Sequence, residues 1–286
     1  MNRGTQYLRL ALLQALAVAI TVAVSVFTAN GQLVDQAVMD TTIQSSEPAV
    51  RLARQFGENT VVIVAAGLVI GSVVLALARR RFADAAIAVT VFAGAALTSN
   101  ILKHNVIVRP DLTLGLDEYS NSLPSGHATL AIAAACAALF AAPRHLKLPL
   151  VPVLTGWAIL SGFGVIAAGW HRPSDVVTAS LIVGFWCSAA SGLRALLHRP
   201  GGGADRAVVT TRRSRIATSV LVSGSVVAAI ALSLSYAVGT GRTVWSAALI
   251  AIAITATTLA ALYMSLGSSR AASASRVVSA RGVATA

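Results

Sequence analysis

The sequence predicts an all-α integral membrane protein with about eight transmembrane helices, and three observations carry that prediction. Hydrophobic residues make up 56% of the chain and charged residues 11%, with a mean hydropathy of +0.76, far from the mix of an ordinary water-soluble domain. The apolar residues gather in runs of roughly 20, the length a helix needs to cross the hydrocarbon core of a bilayer. Ionised side chains, costly at membrane depth, keep to the ends of these runs, as with Arg9 and Asp84.

Eight runs meet the criterion: 7–29, 60–78, 83–102, 126–142, 150–169, 176–194, 216–238 and 244–265. The first follows a short basic start and is longer than the apolar region of a cleaved signal, about 7–15 residues, so it reads as a retained helix. Residues 30–59 hold Asp35, Asp40, Glu47 and Glu58 and read as a connector. Within it, SSEPAVRLARQF has the pattern of a short capped amphipathic helix with Pro48 near its first turn, able to lie on the membrane surface or to cover a site. The second run contains Gly67 and Gly71, a G-x-x-x-G pair that permits close helix approach. Packing within the chain is the favoured use of that pair, with a homodimer left open.

Residues 199–215, RPGGGADRAVVTTRRSR, read as a basic Gly-rich linker. Its GGG has neither a strand before it nor a G-K-S/T, so it is not a nucleotide loop. The linker divides a six-helix core, residues 1–198, from a two-helix membrane appendage, residues 216–266. The tail, residues 267–286, is rich in Ser, Ala and Arg and is expected to be disordered.

The formal net charge of +12 comes from 22 Lys and Arg against 10 Asp and Glu. With both termini placed inside, 16 of the basic residues fall on inner segments and 6 on outer ones. That bias orients the chain with cytoplasmic termini in a plasma membrane, expected to be bacterial, and explains the high charge without nucleic acid as a partner. Membrane lipids are the expected surroundings. The absence of mid-membrane charge argues against a small-solute transporter. Cys136 and Cys187 lie inside apolar runs, where a thiol packs as a small hydrophobe, and outline neither a metal site nor a disulfide framework.

The same topology puts three polar clusters on the outer face. In KHNVIVRP, residues 103–110, Lys103 and Arg109 supply cations, and Pro110 biases Arg109 toward an extended backbone. In PSGH, residues 124–127, Pro124 suits a first helical turn, Ser125 suits a cap, and Gly126 lets a ligand approach the backbone. A helix start with free N–H groups favours anions, yet capping does not account for His127. In GWHRPSDV, residues 169–176, His171 falls just before a helix opened by Pro173, and Asp175 falls within its first turn. A carboxylate so placed can hold one imidazole nitrogen and leave the other as a nucleophile. Trp170 reads as an interfacial aromatic. Two histidines, one carboxylate, two cations and two helix starts on one side of a membrane point to phosphoryl transfer from an anionic substrate. The widely spaced histidines, with no thiolate and few carboxylates, make a poor metal ligand set, so neither metal nor cofactor is expected.

These residues resemble the type 2 phosphatidic acid phosphatase family, lipid phosphate phosphatases that share a helical fold with vanadium haloperoxidases. The resemblance rests on Lys103 with Arg109-Pro110, on Pro124-Ser125-Gly126-His127, and on His171 with Asp175. It implies a six-helix phosphatase-like core and metal-independent hydrolysis of a lipid phosphate, such as phosphatidic acid or phosphatidylglycerophosphate, or of a polyprenyl pyrophosphate. By the same resemblance, His171 attacks phosphorus to form a phosphohistidine and Asp175 orients it. His127 protonates the leaving group, while Lys103, Arg109, Ser125 and Gly126 hold the phosphate. The chain departs from the family pattern in having five residues instead of six between Lys103 and Arg109. It also has Gly164-Val165 where the family has Ser-Arg. Arg172, beside His171, is the candidate replacement for the missing cation. A lipid-phosphate-binding protein of the same fold without turnover is the other expectation that Val165 allows.

Overall fold

The computed structural model describes residues 3–45, 47–57, 60–112, 121–197, 205–237, 248–261 and 263–264. The described residues contain no strand. Their helices are α1 (Arg3–Phe27), α2 (Ala29–Gln44), α3 (Pro48–Gly57), α4 (Thr60–Ala78), α5 (Phe82–Ile101), α6 (Gly126–Ala141), α7 (Arg144–Ala167), α8 (Pro173–Leu197), α9 (Asp205–Ala237) and α10 (Ala248–Ala261). A π turn, Leu102–Val106, continues α5 and is closed by the Ile107 N–H on the Leu102 carbonyl at 2.9 Å.

Five helices are long and apolar enough to cross a membrane: Gly4–Phe27, Thr60–Ala78, Phe82–Val106 (α5 with its π turn), Arg144–Ala167 and Pro173–Leu197. Three further apolar stretches, Gly126–Ala141, Ile216–Leu232 and Ala248–Ala261, are shorter. Each of the eight expected runs falls at least partly on a described helix, and among the described residues five helices reach spanning length. The chain is an all-α membrane-type protein.

The centre of the bundle is α6. Its run of alanines keeps it thin, so α4, α5, α7 and α8 all pack against it, and every residue from Ala131 to Ala142 is buried. A short helix can open on polar residues there because its head is covered by protein. α8 is nearly as buried and packs against α1 and α5 as well.

At one end of the bundle a charged knot joins four helix termini. Asp84 receives Arg81 at 2.7 Å and Arg194 at 2.5 Å, binding the start of α5 to the end of α8. Arg81 also donates to the Ala141 and Ala142 carbonyls at 2.8 and 2.9 Å, and Lys147 reaches the Phe140 carbonyl at 3.4 Å. Cations thereby cover the carbonyl end of α6, where the helix dipole is negative.

Four sequence expectations change here. Residues 30–59 form two helices, and α2 was not anticipated. Thr28 caps α2 by accepting from the Gly31 N–H at 3.0 Å, and a Cβ on Gly31 would sit 1.9 Å from the Val24 carbonyl oxygen, so the tight α1–α2 corner needs glycine. Helix α3 matches the expected amphipathic segment and packs on α7. The later part of the supposed linker is helical, since α9 begins at Asp205. The two C-terminal helices are no appendage: Val222, Leu232, Ile250 and Ile254 belong to the same apolar core as α6 and α8. Hydroxyl pairs Thr155–Thr258 at 2.8 Å and Ser180–Thr257 at 2.9 Å tie α10 to α7 and α8. Finally, nothing lies within 4 Å of a Cβ placed on Gly67 or Gly71, because α4 turns its Val61, Ala65 and Ala76 face inward instead. The Gly201–Gly203 run and the tail 267–286 lie outside the described residues.

Candidate active site

The polar clusters converge at the end of the bundle opposite the charged knot, where α5 and α7 finish and α6 and α8 start. Each local turn follows from its sequence. Helix α7 ends in a left-handed glycine: Gly169 has φ +78°, its N–H reaches the Ile166 carbonyl at 2.9 Å, and the Trp170 N–H reaches the Val165 carbonyl at 3.0 Å. This pairing is the Schellman arrangement, which closes the helix and redirects the chain. The His171 N–H also lands on the Val165 carbonyl, at 3.2 Å, so the turn delivers His171 directly to the start of α8. Pro173 then opens α8 as its first residue, where a missing N–H costs nothing.

His171 Nδ1 lies 3.1 Å from Asp175 Oδ2, and both residues are buried. The same carboxylate oxygen accepts the Arg172 N–H at 2.9 Å. With the carboxylate as acceptor, Nδ1 carries the proton and Nε2 keeps its lone pair. The half-buried His127 ring faces this pair with its centroid 6.5 Å from that of His171 and 5.4 Å from the ring of Trp170. Trp170 is therefore a neighbour of the site as well as a surface aromatic.

Ser125 caps α6 as expected, its Oγ accepting the Ala128 N–H at 3.2 Å, and Pro124 sits one residue before the cap instead of in the first turn. The Ser125 N–H donates to the Asp175 carbonyl at 3.2 Å, which joins the starts of α6 and α8. At Gly126 a Cβ would meet nothing within 4 Å, so the backbone there is open to approach. Lys103 lies on the π turn that ends α5, where its carbonyl accepts the Asn121 amide at 3.0 Å. Arg109 lies on a non-helical segment held at two carbonyls, Ile107 by Asn121 at 3.0 Å and Pro110 by Gln32 at 2.7 Å, and its guanidinium nitrogens are buried. Arg172 is buried too, donating from Nε to Gln36 at 2.8 Å and from a terminal nitrogen to Ser122 at 2.7 Å. Val165, at the position of the family arginine, is fully buried in the apolar core.

Sequence reasoning missed the residues that hold these groups. Asn121 makes a local turn, accepting the Leu123 N–H at 3.2 Å, while its amide donates to the Lys103, Ile107 and Leu123 carbonyls. An Asn three residues before Pro124, ahead of a helix start, was the available signal. Asp35 accepts both the N–H and the hydroxyl of Ser174, and burial first, then the charge of Asp175, pushes its carboxyl up to about 6. Nothing in its own segment marked it. Among the described residues, no group of three His, Cys, Asp or Glu side chains is arranged to hold a metal ion.

The structure thus defines a helical membrane-type protein with a histidine–carboxylate pair and a second histidine at one end of its bundle. Residues 84–196 match the family model described as the PAP2 superfamily, in agreement with the resemblance read from the motifs. The matched stretch, less than half of the chain, contains every predicted site residue and stops short of α2 on one side and of α9 on the other. No curated protein and no solved structure gives a significant match to the chain.

Proposed function

We propose that the protein is a membrane phosphatase that hydrolyses a lipid phosphate or pyrophosphate at the extracytoplasmic face through a phosphohistidine, without a metal ion. The observation that carries this reading is the His171–Asp175 pair with the His127 ring facing it. His171 Nε2 attacks phosphorus as the bond to the lipid oxygen breaks, and His127 gives a proton to that leaving oxygen. Water then attacks the phosphohistidine, His127 takes the water proton, and inorganic phosphate leaves. Lys103, Arg109, the Ser125 and Gly126 helix start and Arg172 offset the charge of the phosphoryl oxygens. The extracytoplasmic placement rests on the excess of basic residues on the opposite side, where Arg81, Arg194 and Lys147 also lie. The substrates in view are phosphatidic acid, phosphatidylglycerophosphate and polyprenyl pyrophosphate.

Purified protein in detergent with chelator should release phosphate from at least one lipid of that panel, and His171→Ala should lower the rate by roughly 10⁴-fold. Arg172→Ala should lower it as well; unchanged turnover would show that Arg172 does not replace the cation absent at Val165. Phosphate-lipid binding with no release from any substrate would favour a binding protein of the same fold, the reading that the buried Val165 supports.

A further inference from the structure

One face of α2 bonds to two of the three motif segments and, through Arg172, to Ser122 just before the third. Gln32, Asp35 and Gln36 stand at i, i+3 and i+4, so they share a side of the helix. Gln32 donates to the Pro110 carbonyl at 2.7 Å, beside Arg109. Asp35, fully buried, takes the Ser174 N–H at 3.0 Å and the Ser174 hydroxyl. Gln36 accepts from Arg172 Nε at 2.8 Å, its amide oriented by donation to Asp40 at 2.8 Å, and Arg172 passes on to Ser122 beside the PSGH segment. Ser174 lies between His171 and Asp175, and its N–H is one of the donors that a helix start leaves without an intrahelical acceptor. A carboxylate from another helix fills that place, so the first turn of α8 is held from outside as well as by its own Asp175.

We infer that Asp35 is a positioning residue of the active site: from α2 it fixes the first turn of α8, and through it the hydrogen bond between His171 and Asp175. This rests on the phosphatase reading for its catalytic meaning but not for its geometry. Asp35 itself is fully buried against Ser174. Its effect is to keep the His171 ring aimed, and small misplacements of a reacting group are known to cost large factors in rate.

The test uses the full chain in detergent, with two readouts. The first is kcat and KM for phosphate release. The second needs no turnover: the downfield proton resonance of the His171 Nδ1–H on Asp175, assigned by its disappearance in His171→Ala. Asp35→Ala should lower kcat by roughly 10- to 100-fold with KM nearly unchanged, and should broaden or abolish the resonance. Asp35→Asn keeps an acceptor for the Ser174 N–H and should retain the resonance and most of kcat. Ser174→Ala deletes the hydroxyl half of the contact from the other side and should weaken both readouts in the same direction, which decides the matter even if Asp35→Ala does not fold. The inference is overturned if Asp35→Ala keeps both kcat and the resonance, or if Asp35→Asn and Asp35→Ala lose rate equally with the resonance intact. Where Asp35→Ala fails to fold, an unchanged Ser174→Ala overturns it. A parent protein lacking the resonance overturns it whatever its turnover. A parent that shows the resonance, and its loss in Asp35→Ala, but releases no phosphate would leave the positioning standing and sink the phosphatase reading.

Discussion

Gly169 shows how much a single residue controls at this site. At φ +78° a side chain with a Cβ is strained, and that Cβ would also meet Ile43 of α2 at 3.1 Å. Gly169→Ala should therefore lower stability by about 1–2 kcal/mol, read as thermal unfolding in detergent, and reduce turnover by displacing His171. Asp35 makes a prediction of a different kind. Its carboxyl is raised to about 6, so the folded chain holds this proton to higher pH than the unfolded chain does. The resulting stabilisation is complete below about 4 and is lost as pH rises through 6. The groups that face it are Asp175, which raises it further, and Arg172 and Ser174, which hold it down. Between pH 4 and 7 the parent should lose more thermal stability than Asp35→Asn, a difference that cancels groups common to both proteins.

Among the elements, the motif-bearing ones were legible and the covering one was not. Pro173, Ser125 and Gly126 announce helix starts through their own backbone chemistry, and Asp175 meets His171 from four residues away, so a local reading finds them. Helix α2 buries Gly31, Gln32, Asp35 and Val38, a set with almost no apolar content. A search for hydrophobic periodicity passes over such a helix, because its buried face is paid for by hydrogen bonds to residues far along the chain. Gln36 and Arg172 are separated by 136 positions, and no spacing rule connects them. The C-terminal pair shows the same limit. Its runs were visible, but the contacts that make it part of the core lie on α7 and α8. Replacing Thr257 and Thr258 together by Val should cost roughly 1–2 kcal/mol in thermal stability while leaving KM and kcat near the parent values, since these hydroxyls stand away from the histidines.

Across the whole molecule, the two ends of the bundle have opposite electrostatic tasks. At one, Arg81, Arg194 and Lys147 cover carbonyls and Asp84; at the other, the start of α6 leaves the Gly126 backbone open to approach, and Lys103, Arg109 and Arg172 lie on the segments that meet there. The bond from the Ser125 N–H to the Asp175 carbonyl joins the starts of α6 and α8, two residues from His127 and four from His171 along the chain. His127 and His171 consequently hang from one hinge pin, with their ring centroids 6.5 Å apart. On the proposed phosphatase reading, such a jaw is cut to the phosphoryl group and not to the chain behind it. On that reading, discrimination among lipids falls to the surroundings of the pair, where Trp170 stands partly exposed with its ring 5.4 Å from that of His127.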